Sequence, residues 1–186
     1  MTDGMMSDLV GSTKALAVGI VKGTGAVAMS LTDAVSDTVV KAMQGAGDVT
    51  GTATSTITDV VTGTFEGVME AGGDAMQATT DVVGGVIKGV AKVSGDVVTA
   101  AHDVVHATVK GGGHAGADVA QVALKAVTGS IAAATEVGGD VAGVTKAAIM
   151  GALEGAGEIS EEAMNATKDV LVTGITGAKE VIDAMK

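Results

Sequence analysis

Residues 81–98 read Asp-Val-Val-Gly-Gly-Val-Ile-Lys-Gly-Val-Ala-Lys-Val-Ser-Gly-Asp-Val-Val. After Asp81 the apolar residues fall at Val82, Val83, Val86, Ile87, Val90 and Val93. That spacing of i, i+3, i+4 and i+7 lines up side chains on one face of an α-helix. A strand, with its period of two, gives no reason for it.

The same unit recurs along the chain, as Asp48-Val49, Asp59-Val60-Val61, Asp81-Val82-Val83, Asp96-Val97-Val98, Asp103-Val104-Val105, Asp118-Val119, Asp140-Val141 and Asp169-Val170. Two registers in steps of 11 account for most of it. One runs Asp48, Asp59, Glu70, Asp81, Lys92, Asp103, His114; the other runs Asp74, Gly85, Asp96, Ala107, Asp118, Gly129, Asp140, Gly151, Glu162. Eleven residues close three helical turns at 3.67 per turn, so such a stripe stays nearly straight. Lys follows Asp by seven at Asp81/Lys88, Asp103/Lys110 and Asp118/Lys125, which gives the charges a stripe of their own. The apolar face predicted from this pattern is Val82, Val83, Val86, Ile87, Val90, Val93, Val97, Val98, Val104 and Val105.

Two features oppose a helix. Each Gly costs about 1 kcal/mol against Ala in a helix interior, so the 29 Gly would cost roughly 25–30 kcal/mol if all were helical. Residues 49–58 carry Thr at every second position and, taken alone, read as a strand. The persistence of the phase and the absence of Pro decide for the helix. The expected fold is therefore all-α, with long amphipathic helices of 11-residue period.

A lone helix of such poor propensity is unstable in water. The sequence predicts conditional folding against a partner surface: another helix, another chain or a lipid interface. The pairs Gly19/Gly23, Gly63/Gly67, Gly85/Gly89 and Gly151/Gly155 have the spacing that lets helix backbones approach closely. Gly111-Gly112-Gly113 is the strongest expected break. Gly72-Gly73 and Gly138-Gly139 are weaker ones, each before an Asp able to serve as N-cap. The chain reads as one repetitive region over 1–186, with a helical hairpin or bundle of halves 1–110 and 114–186 if the triplet breaks it.

The composition narrows the function. There is no Cys, hence neither disulfide nor thiolate metal site. There is no Arg, and 22 acids against 11 Lys give a net charge of −11, which disfavours nucleic acid. Mean hydropathy is +0.47. No uncharged stretch is long enough for a transmembrane span, and the N-terminus does not read as a secretory signal. The expected location is cytoplasmic, including the periphery of a membrane, droplet or granule.

Gly85-Val86-Ile87-Lys88-Gly89-Val90-Ala91-Lys92-Val93 and Gly129-Ser130-Ile131-Ala132-Ala133-Ala134-Thr135 resemble synuclein repeats. Val61-Thr62-Gly63-Thr64 and the Asp-Val-Val units resemble the long repeats of perilipins, and group 3 late-embryogenesis-abundant proteins share the 11-residue period. The resemblance covers most of residues 48–145 as a pattern. It implies a chain that becomes helical on a lipid surface or on drying. The chain departs from the lipid binders in being acidic where they are rich in Lys.

His102-Asp103-Val104-Val105-His106 puts two imidazoles at i and i+4, similar to a zinc-protease helix with Asp in place of Glu. His102, His106 and His114 are thus the metal candidates, set against the simpler reading that they belong to the polar stripe. Glu158, Glu161 and Glu162 read as a solvated face or a first helical turn, and the 10 Met as core filler. No convergent catalytic set is visible, so no enzyme and no cofactor is expected. The leading expectation is a non-enzymatic coat on a lipid, droplet or granule surface. The alternative is a self-assembling helical structural or scaffold protein, and the third reading is a stress-protective, conditionally folded protein.

Overall fold

The computed structural model describes residues 2–23, 30–46 and 52–185. These are helical, with no strand among them. The helices are α1 (Thr2–Val21), α2 (Leu31–Ala46), α3 (Thr52–Glu70), α4 (Ala75–Lys92), α5 (Val97–His114), α6 (Val119–Val137), α7 (Val141–Ile159), α8 (Glu161–Gly174) and α9 (Ala178–Asp183). The alternating Thr residues from 52 onward are helical; Asp48 and Val49 lie outside the described residues.

From α4 to α7 the helices begin 22 residues apart, two 11-residue steps per helix. The second sequence register therefore carries two alternating roles. Asp74, Asp96, Asp118 and Asp140 are N-caps whose carboxylates accept from backbone N–H groups of the next turn, as Asp96 does from Val98 and Thr99 at 2.9 and 3.1 Å. Gly85, Ala107, Gly129 and Gly151 lie mid-helix, where helices pass each other.

Each preceding helix ends in the same turn. The N–H groups of Gly73, Gly95, Ala117 and Gly139 donate five residues back, to Val68, Val90, Gly112 and Ala134, at 2.8–2.9 Å. The residue before each of these takes a left-handed conformation: Gly72, Ser94, Gly116 and Gly138, with φ of 75°, 57°, 78° and 70°. This is a Schellman ending followed at once by a capped start.

The chain does not break at Gly111-Gly113. All three residues are helical, and the turn follows at 115–118. Gly112 and Gly113 have packing causes instead. Gly112 occupies the place of Val68 and Val90, whose side chains would meet a methyl added at Gly73 or Gly95 at 2.7 Å. With Gly112 there, Ala117 can carry the methyl. Gly113 leaves room for Ile159. The weaker expected breaks, at Gly72-Gly73 and Gly138-Gly139, are real turns.

Among the described residues, each helix touches only its neighbours one and two places along the chain. Odd-numbered helices form one layer and even-numbered helices the other, an arrangement in which each repeat rests on its neighbours. The core lies between the layers. Val82, Val83, Val86, Ile87, Val90, Val104 and Val105 are buried in it, and Val93, Val97 and Val98 pack half-buried against it. Phe65, the sole aromatic, is buried there too. Each Val so buried contributes about 1.5–3 kcal/mol.

Candidate functional site

Helices two apart run parallel, and glycines set their distance. A methyl added at Gly63 or Gly67 of α3 would come within 2.6 and 2.5 Å of the Val10 and Lys14 carbonyl oxygens of α1. At Gly85 and Gly89 of α4 it would meet the Thr32 and Ser36 carbonyls of α2 at 2.6 and 2.8 Å. Gly151 and Gly155 of α7 meet the His102 and His106 carbonyls of α5 in the same way, the latter at 2.7 Å. No side chain larger than hydrogen fits these crossings, which is the close-packing role expected of three of the four Gly pairs.

Polar ladders run along the flanks of these crossings. Thr32 donates to Asp81 at 3.1 Å across α2/α4, and Thr54 donates to Asp103 at 2.7 Å across α3/α5. Lys88 pairs with Glu136 at 2.6 Å across α4/α6, and Lys110 with Glu158 at 2.7 Å across α5/α7. Lys14 reaches Glu70 at 3.0 Å across α1/α3. The predicted charge stripe thus bridges helices within a layer. Exposed pairs of this kind stabilise little singly. Their electrostatic trace is clear at Glu158, held below its usual range by hydrogen bonds from Lys110 and His106. Glu70 is lowered by Lys14 in the same way.

The histidines belong to the ladder between α5 and α7. The rings of His102 and His106 stack with centroids 6.3 Å apart. His102 Nε2 lies 3.0 Å from Glu154 and its Nδ1 3.0 Å from Asp103; His106 Nε2 lies 2.8 Å from Glu158. His114 stands two turns beyond His106 and shares none of these carboxylates. Among the described residues no three His, Asp or Glu side chains are placed to hold a metal ion. Glu161 and Glu162 form the first turn of α8, capped by Ser160.

The α3/α5 pair differs. The two helices meet at Thr54 and Asp103 and then diverge, leaving a groove of about 620 Å³. Thr58, Thr62, Phe65, Glu66 and Met69 line one wall. His106, Ala107, Lys110, Gly111, His114 and Ala115 line the other. One methyl distinguishes this crossing from α2/α4. By the register of α2/α4, Ala107 would stand over the Thr54 carbonyl as Gly85 stands over that of Thr32. Gly has room there and Ala does not. One turn on, Gly111 has nothing within 4 Å of where a Cβ would sit. The ladder fails at the same place. Lys88/Glu136 and Lys110/Glu158 are each 48 residues apart, and the same step relates Glu66 to His114, but no ion pair joins these two. Sequence reasoning missed this groove. The signal was Ala107, the one departure from Gly among positions 63, 85, 107, 129 and 151.

These features define a class: a two-layer stack of helical repeats with an open groove at the α3/α5 crossing. No family model and no curated protein matches the chain.

Proposed function

We propose that the chain is a non-enzymatic helical scaffold whose apolar stripe is satisfied by its own helices and which assembles through the end of its stack. The observation that carries this reading is the burial of Val82, Val83, Val86 and Ile87, each fully enclosed between the layers. A stripe spent on the core is not free to lie on a surface. In α1, Leu16 is 48% and Val21 39% exposed, beside exposed Asp8, Ser12 and Lys22. A helix that shields a repeat stack carries a polar outer face; these two apolar side chains depart from that. A second copy of the chain is the natural partner for them.

Light scattering of the lipid-free protein tests this. The expected mass exceeds 17.8 kDa and rises with concentration, and Leu16→Glu returns it to the monomer with helicity unchanged. A monomer at all concentrations contradicts the assembly.

The surface-coat reading keeps its support in the repeat pattern. It requires the layers to part so that Val82–Val105 face lipid. Neutral vesicles would then change the helicity and the exposure of these residues; the scaffold reading expects no change.

A further inference from the structure

We propose that the α3/α5 groove is a binding site for a single amphiphilic carboxylate, a linear apolar chain with an anionic head. Its volume, about 620 Å³, is that of a small-molecule site. Phe65, Met69, Ala107 and Gly111 contribute apolar lining. Met69 is 45% exposed beside it, a large flexible side chain with no helix to cover it. At the rim, Lys110, His106 and His114 offer nitrogen donors beside the carboxylates of Glu66 and Glu158, in a chain whose net charge is −11.

The two rim acids are already engaged. Glu66 lies 3.7 Å from Lys14, and Glu158, which reaches the rim from α7, is held by Lys110 and His106. An ammonium has three donors, so Lys110 keeps two beyond its bond to Glu158. His114 has no partner among the described residues. A ligand carboxylate at this rim would take the unformed Glu66/His114 rung's place, with charge-assisted hydrogen bonds from Lys110 and His114. Its chain would cover the Ala107/Gly111 step, where the equivalent glycines elsewhere are covered by a parallel helix. The site stands independently of whether the stack assembles.

The test is calorimetric titration of the full chain with dodecanoate below its micellar concentration, with dodecanol and dodecylammonium as matched probes. The expected result is one dodecanoate per chain, bound about tenfold more tightly than the alcohol and more tightly still than the ammonium. Gly111→Leu should abolish it, because a side chain there projects into open groove and costs the helix nothing. The Met69 methyl resonance should shift on binding while Met43, buried in the core, does not. This readout stands if the variant folds poorly. His114→Gln should weaken dodecanoate severalfold and leave dodecanol unchanged. Absence of binding, binding unaltered by Gly111→Leu, equal affinity for the ammonium, or a silent Met69 would each overturn the proposal. Response to dioleoylphosphatidylcholine vesicles without response to free dodecanoate would overturn it as well, since the site is argued for one molecule and not for a membrane.

Discussion

The α5/α7 and α3/α5 crossings are built from the same parts and end in different states. Both place small residues at i and i+4 on the later helix: Gly151 and Gly155 in α7, Ala107 and Gly111 in α5. Both have a polar ladder along one flank. In α5/α7 the backbones come into contact and His102, His106 and Lys110 reach Glu154 and Glu158. In α3/α5 Ala107 takes the place of that glycine, the helices leave a groove beyond Thr54, and a rung of reversed polarity, Glu66 and His114, stays open. At α3/α5 the position that Gly fills in α1/α3 and α2/α4 carries a methyl.

Adding the same methyl to each crossing should separate them most. Gly151→Ala drives a Cβ into the His102 carbonyl and should cost about 3 kcal/mol, roughly 10 °C in Tm by calorimetry. Gly111→Ala adds a methyl to open space and should instead stabilise by about 1 kcal/mol through helix propensity. Equal losses at the two sites would erase the distinction.

The reverse substitution, Ala107→Gly, should let α3 settle onto α5. Spin labels at positions 69 and 114 would then report a shorter distance, and an unchanged distance would remove the methyl as the cause.

The turn that delivers the chain into α5 carries the one non-glycine at its left-handed position. Ser94→Gly should stabilise by about 1 kcal/mol, since L-residues resist that conformation, and chemical denaturation should show it.

A smaller effect tests the Thr/Asp ladder. Asp59 stands where Asp81 and Asp103 stand in their helices, 22 and 44 residues on, but the residue that would donate to it is Val10, in the place of Thr32 and Thr54. Burial without a partner raises the Asp59 carboxyl above its ordinary 3.8. Val10→Thr should supply the donor, bring that value down and add about 0.5–1 kcal/mol.

The pH dependence carries the same contrast. Asp96, lowered mainly by hydrogen bonds from Thr99, stabilises above its unfolded value of 3.8, and that support is lost as pH falls through the lower folded value. Asp59, raised, opposes folding at neutral pH. That penalty is relieved as pH falls through its raised folded value towards 3.8. Asp59→Asn should therefore raise stability at pH 7 and leave it unchanged at pH 3.

The helix was legible in residues 81–98, because amphipathic spacing is a local property. Asp74 and Asp140 were legible as N-cap candidates, each directly after a Gly pair; Asp96 and Asp118, after Ser94-Gly95 and Gly116-Ala117, were not. What could not be read was which 11-residue step turns the chain and which crosses another helix: Asp96 and Gly85 sit in one register, and only packing separates their roles. Gly111-Gly113 misled for a related reason. Glycine signals a turn by its backbone freedom and a close crossing by its lack of a side chain, and the sequence alone does not distinguish these. The groove was hidden because an Ala among glycines looks conservative until a carbonyl is placed opposite it. Another helix was one of the three partner surfaces expected, and helices two apart cover one another within the chain.

Circular dichroism of the lipid-free chain in dilute buffer, followed through thermal unfolding, tests this self-satisfied stack most directly. The account predicts a strongly helical spectrum, a cooperative transition, and no change in either when neutral vesicles are added. A disordered spectrum in buffer that turns helical only with vesicles would contradict it.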